Sequence, residues 1–136
     1  MPLQSSEIVF YYTNTATGPS NNTLSLGGTI SSATIASGVA NNVFDDVTGD
    51  ESESGDTEYR AIAVKNTSTG YDMLNTKVYI SGYYRAPSGA DTIYFALEKS
   101  SGSPASIQLI ETESSVPVES LFVTKKGETV SWTVEG

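Results

Sequence analysis

Apolar and polar residues alternate with a period of two in short bursts along this chain, and no stretch holds a period of 3.6 across three turns. The clearest burst sets Tyr59, Ala61 and Ala63 on one face against Arg60, Ile62 and Val64 on the other, and predicts a strand over residues 58–66. A second covers residues 7–13, with Ile8, Phe10 and Tyr12 opposed to Val9 and Tyr11. Both of its faces are apolar, so this strand is predicted to be central in a sheet or covered by a neighbouring subunit. Leu24 and Leu26 mark a short strand ended by Gly27 and Gly28, and the weakly patterned stretch after them, through Ile30, Ala33, Ile35, Val39 and Val43, is predicted to be irregular. Further strands are predicted at 77–86, 92–99, 107–111, 121–124 and 130–134, the last two joined as a hairpin through Lys126 and Gly127. Pro87 stops one strand and Pro117 interrupts another, because proline cannot donate to a ladder.

About eight short strands separated by turn signals, with under about a tenth of the residues helical, predict an all-β fold. The architecture that fits is an antiparallel two-sheet β-sandwich, immunoglobulin-like or jelly-roll. The 136 residues suit one domain, 1–136, preceded by a short polar arm over 1–6 that stays mobile unless a partner holds it.

Composition narrows the chemistry. The chain has neither Cys nor His, which removes disulfides, thiolate metal sites and every Ser-His or Cys-His nucleophile pair. An enzyme is therefore not expected, and neither is a cofactor. The net charge of -9, with seven Lys and Arg in all, argues against nucleic acid and against an anionic membrane surface. The opening Met-Pro-Leu-Gln-Ser-Ser-Glu has no basic or apolar signal-like region, so synthesis in the cytoplasm without a signal is expected.

Charge is densest in residues 45–58, which carry seven carboxylates and no cation. Asp50, Ser52, Ser54 and Gly55 have the opening spacing of an EF-hand loop, but the position that needs a bidentate Glu is Ala61, so an EF-hand is rejected. Asp45, Asp46, Asp50 and Asp56 could meet a cation in some other way; a solvated, metal-free loop is the expectation. Glu111 and Glu113 fall on one face of a predicted strand without a cleft between them, which does not suit glycosidase chemistry. Tyr79, Tyr83, Tyr84 and Arg85 form a group of the residue types enriched at protein interfaces, in competition with ordinary core and rim packing. The arm residues Pro2, Leu3, Gln4 and Ser5 are a second candidate contact, able to lie along a neighbour. The glycosylation patterns at Asn21 and Asn66 carry no weight without a signal peptide.

Leu24-Ser25-Leu26-Gly27-Gly28, then Asn42-Val43-Phe44-Asp45-Asp46-Val47, then the run from Gly55 through Tyr59-Arg60 to Asn66 resemble small β-sandwich structural proteins of tailed bacteriophage virions, over roughly residues 24–82. The resemblance implies a non-enzymatic virion protein, most like a capsid decoration (cement) protein. Such a protein sits on the capsid surface, binds the major capsid protein, and often associates with itself as a trimer. A tail, neck or baseplate component is the nearest alternative. A carbohydrate-binding host-recognition module using Trp132 or the Tyr79, Tyr83, Tyr84 group is another.

Overall fold

A computed structural model describes residues 2–16, 18–74 and 107–117, together with the paired strands at 77–78, 95–96, 122–123 and 130–131. The chain divides into two compact units, the first made of Met1–Asp72 with Ser100–Pro117 and the second of Met73–Lys99 with Val118–Gly136. Strands dominate the regular structure of both.

In the first unit, β1 (Ile8–Asn14) is the middle strand of an antiparallel sheet, with β2 (Thr29–Thr34) on one side and β3 (Ile62–Asn66) on the other. The central position expected from its two apolar faces is what the sheet gives it. Along β3 the register is regular, with Ile8 opposite Asn66, Phe10 opposite Val64 and Tyr12 opposite Ile62. Residues directly opposite share a face, so Ile8, Phe10, Tyr12, Ile62 and Val64 form one apolar surface, which Arg60 continues two residues before Ile62.

β2 lies in the stretch expected to be irregular. Its six residues, Thr-Ile-Ser-Ser-Ala-Thr, place their apolar members Ile30 and Ala33 three apart, so no alternation shows. The pairing is irregular too: Tyr11 faces Thr34 and Thr13 faces Ile30, so the five residues 30–34 span three of β1 across a bulge. On the other side of β1, just past its last pair with β3, the Thr13 N–H is accepted by the Ser25 hydroxyl at 2.9 Å, and that hydroxyl donates to the Ala61 carbonyl.

Residues 24–28 run beside this sheet and bring in the segment 107–117 from far along the chain. Gly28 and Ile107 exchange both backbone hydrogen bonds at 3.0 and 2.9 Å, and the Ile110 N–H donates to the Leu26 carbonyl at 2.8 Å. Where a strand was expected over 107–111 there is this single bridge, and 111–115 turns back on itself, with the Ser115 N–H donating to the Thr112 carbonyl. Gly27 is required at the crossing. Its φ is +91°, and a Cβ there would lie 1.8 Å from the Gln108 carbonyl oxygen, well inside contact distance. The buried apolar residues of the described part are Tyr12 and Ile110, one on β1 and one on the incoming segment.

Two short helical pieces complete the unit. The acidic stretch contains α1 (Gly49–Ser54), where no helix was expected. Thr48 caps it by accepting the Glu51 N–H, the Glu51 carboxylate returns to the Thr48 N–H at 2.6 Å, and Gly55 ends it at φ +78°. The arm is not a free tail either: Ser5–Glu7 form a 3-10 turn in which the Glu7 carboxylate accepts the Gln4 N–H at 2.7 Å, and Leu3 is half-buried.

In the second unit, β4 (Lys77–Val78) pairs antiparallel with β7 (Val130–Ser131), and β5 (Phe95–Ala96) with β6 (Phe122–Val123). These strands fall inside the stretches where strands were expected. Among the described residues the expected hairpin between 121–124 and 130–134 is not a pairing, since β6 meets β5 and β7 meets β4.

Candidate functional site

The first unit gathers its charge around Arg60. The side chain leaves the lead-in to β3 on the face of Ile62 and Val64, and its guanidinium is wholly shielded from solvent. Every nitrogen is used. Nε donates to the Asn22 carbonyl, Nη1 to the Tyr59 carbonyl at 3.0 Å, and Nη2 to Asp45 Oδ1 at 3.2 Å and Glu113 Oε2 at 3.1 Å. Glu58 Oε2 stands 3.5 Å from the same Nη2. The Phe44 ring lies against the cation, with its centroid 5.6 Å from Cζ.

Four separate stretches of chain therefore converge on one side chain: the turn at Asn22, the entrance of the acidic stretch at Phe44 and Asp45, its exit at Glu58 and Tyr59, and the segment 107–117 at Glu113. The Tyr59 N–H reinforces the last of these by donating to the Glu113 carbonyl at 2.6 Å. A guanidinium can be buried in this way because its planar fork meets several acceptors at once and stays charged. Breaking such a set costs more than its formation gains, since each stranded group is left short of water.

Of the acids named from the sequence, Asp45 enters this cluster and Asp56 joins Glu51 and Glu58 in a second, the carboxylate oxygens of each trio lying within 4.8 Å of one another. Asp46 instead accepts from the Asn41 amide at 2.5 Å, and Asp50 lies in the first turn of α1. Helical winding over 49–54 is incompatible with an EF-hand loop beginning at Asp50. Carboxylates clustered near the surface need no ion, and the first trio already has Arg60 as its counter-charge. Glu113 was expected to share an exposed strand face with Glu111; the turn at 111–115 removes that relation and delivers it to Arg60. Burial raises the Glu58 pKa above the ordinary glutamate value; Arg60 opposes the rise, and Asp45, Glu113 and Asp56 add to it.

The second feature is the apolar face of β1 and β3. At one end it is closed, where the Tyr12 hydroxyl reaches the Asn42 carbonyl at 2.5 Å and Asn42 Oδ1 at 2.7 Å. Beside this the face is open, with Phe10 43% and Ile62 42% exposed. Of the interface residues named from the sequence, Pro2, Gln4 and Ser5 are exposed around the 3-10 turn and Leu3 is half-buried. Tyr79, Tyr83, Tyr84 and Arg85 lie outside the described residues. Sequence reading missed Phe10 and Ile62 as surface groups, because alternation identifies a face without saying whether anything covers it.

No family model matches the chain, and no curated protein or solved structure matches it.

Proposed function

We propose that this chain is a non-enzymatic structural protein of a tailed-bacteriophage virion, bound to the capsid surface as a decoration protein, with the major capsid protein and further copies of itself, most simply a trimer, as partners. The observation that carries the binding role is the open part of the β1–β3 face, where Phe10 and Ile62 keep a large fraction of their surface in water. Burying the part of two such side chains that is still exposed is worth about 1 kcal/mol each, so a few copies acting together bind firmly where one binds weakly. The kind of partner is supplied by the resemblance over residues 24–82. The fold proposed with it is the two-sheet antiparallel sandwich of about eight strands, immunoglobulin-like or jelly-roll.

The arm has a smaller part in this reading than a free tail would have. Its turn at Ser5–Glu7 is already tied to the chain, as the Glu7 carbonyl accepts both the Thr67 N–H and the Thr67 hydroxyl. Pro2, Gln4 and Ser5 remain available at the rim.

The test is to sediment purified protein with undecorated, expanded capsid shells. Full-length protein is expected to pellet with the shells, a chain beginning at Glu7 to pellet less completely, and Phe10→Ser with Ile62→Ser to stay in the supernatant. Full-length protein left in the supernatant by shells but pulled down by isolated tails overturns the capsid assignment. Undiminished binding by the Phe10→Ser, Ile62→Ser chain removes the face from it.

A further inference from the structure

Among the described residues, the Arg60 cluster holds more negative charge than its cation balances. Three carboxylates meet one guanidinium, leaving an excess of two negative charges when all are ionised. Nη2 has two N–H groups, yet three carboxylate oxygens stand around it, at 3.1, 3.2 and 3.5 Å. One carboxylate must go without a hydrogen, and Glu58 at 3.5 Å is the one that does. Glu58 also faces the second trio, with Glu51 and Asp56, and its side chain is mostly buried. Lys65 is opposite Val9, one residue out of step with Ile62 and Val64, so it lies on the other face of β3 and adds no positive charge here.

We infer that Glu58 is a proton-operated fastener: in mildly acidic solution it takes up a proton, and this secures the acidic stretch through Asp45, and the segment 107–117 through Glu113, to Arg60. With Glu58 neutral, two N–H groups serve two carboxylates and the repulsion among the three disappears. With Glu58 ionised, Asp45 and Glu113 are the members free to give, because both are about half exposed and can be hydrated.

Among the described residues, the charged groups facing Glu58 are Arg60 from its own strand lead, Asp45 and Asp56 from the two ends of the acidic stretch, Glu51 from α1, and Glu113 from the incoming segment. Since the folded-state pKa is raised, the folded protein holds more protons than the unfolded chain between the ordinary and the raised value. Stability from this group is therefore fully present below the ordinary glutamate pKa and is lost as pH rises through the raised one. Other carboxylates of this acidic chain add their own pH dependence, so the contribution of Glu58 is the difference between the native chain and Glu58→Gln.

Two readouts follow this difference: the carboxyl ¹³C shift of Glu58, and hydrogen exchange at the Tyr59 amide, which is bonded to the Glu113 carbonyl. Glu58 is expected to titrate above the ordinary glutamate value. Tyr59 protection, corrected for intrinsic exchange, is expected to rise on acidification by about tenfold for each pH unit of that displacement, and to stay level in Glu58→Gln. About 1 M salt, which screens the repulsion, should raise protection at neutral pH in the native chain. Glu58 titrating at the ordinary glutamate value overturns the inference, as does a Glu58→Gln chain whose Tyr59 protection follows the native pH course. Should Glu58→Gln fail to fold, Asp45→Asn must lower the Glu58 titration, and an unchanged titration overturns the inference equally.

Discussion

Two side chains, Thr13 and Arg60, each tie the same part of the molecule together, and they do so with different chemistry. Thr13 is wholly buried and neutral: its N–H goes to Ser25 Oγ at 2.9 Å, its hydroxyl donates to the Ala61 carbonyl at 2.8 Å, and it accepts the Gly27 N–H at 2.9 Å. Ser25, also buried, sends its own hydroxyl to the same Ala61 carbonyl, and Ser20 covers the Thr13 carbonyl. Small hydroxyls thus carry the link between β1 and the lead-in to β3 past their last pair, Tyr12 with Ile62. Arg60, one residue before Ala61, does the equivalent work with a charge, and reaches loops that Thr13 cannot. The neutral junction has no titrating member, while the charged one has an excess of carboxylates. Dry hydroxyl junctions hold the sheet at any ordinary pH, whereas the guanidinium junction holds the loops with a strength that depends on solution conditions.

Three substitutions sharpen this contrast. The largest effect is expected from Gly27→Ala, where the new Cβ would meet the Gln108 backbone, so the strain is added to the loss of backbone bonds at Leu26 and Gly28. We expect a loss of about 4 kcal/mol in denaturant unfolding. A loss smaller than that of the two changes below would show that the 107–117 segment contributes little to the first unit.

Arg60→Met comes next, at about 3 kcal/mol. It strands Glu58 in a partly buried place, but Asp45 and Glu113 can turn to water, which keeps the cost near the lower end for breaking a buried ion pair. The cost should shrink in mild acid, where the stranded Glu58 accepts a proton. A pH-independent loss would remove the charged character assigned to this junction.

Thr13→Val is the smallest, at about 2 kcal/mol, because the shape is kept and the Gly27 N–H is left without its acceptor. Urea midpoints taken at neutral and mildly acidic pH should show the same decrement for Thr13→Val at both. A decrement that varies with pH as strongly as that of Arg60→Met would erase the distinction between the two junctions.

The legible parts of the fold are those whose pattern is local. β1 and β3 were readable because Ile8–Asn14 and Ile62–Asn66 are short runs rich in β-branched and aromatic residues, and β1 was readable as central because both of its faces are apolar. β2 was hidden because its apolar residues, Ile30 and Ala33, are three apart among Thr and Ser, which leaves no alternation to read. α1 had a readable signal that alternation does not detect: Thr48 followed three residues later by Glu51, with Gly55 beyond, is a capping box and a stop. Asp45 was legible as a member of a charged group by density alone. Its partnership with Glu113 was not, because the two meet only through Arg60, and Glu113 lies 53 residues beyond Arg60 in the chain. A single sequence carries no periodicity across such a gap. The short arm was read as free because Pro2 to Ser6 are unpatterned, yet Glu7 at their end supplies the carboxylate that folds them into a turn.

The route of the chain has a consequence for the order of events at the ribosome. The first unit takes in residues up to Asp72 and is completed only by Ser100–Pro117, after the stretch Met73–Lys99 that belongs to the other unit has been made. A nascent chain that has emerged through β3 can pair its three strands and form the Thr13 junction. It still lacks Ile107, Ile110 and Glu113, so the Leu26 carbonyl, the Gly28 amide and one face of Arg60 wait in water. The neutral junction can close during synthesis, and the charged one only after a long loop is closed behind it, which makes its closure the slower step and exposes the intermediate to association with other chains in the interval.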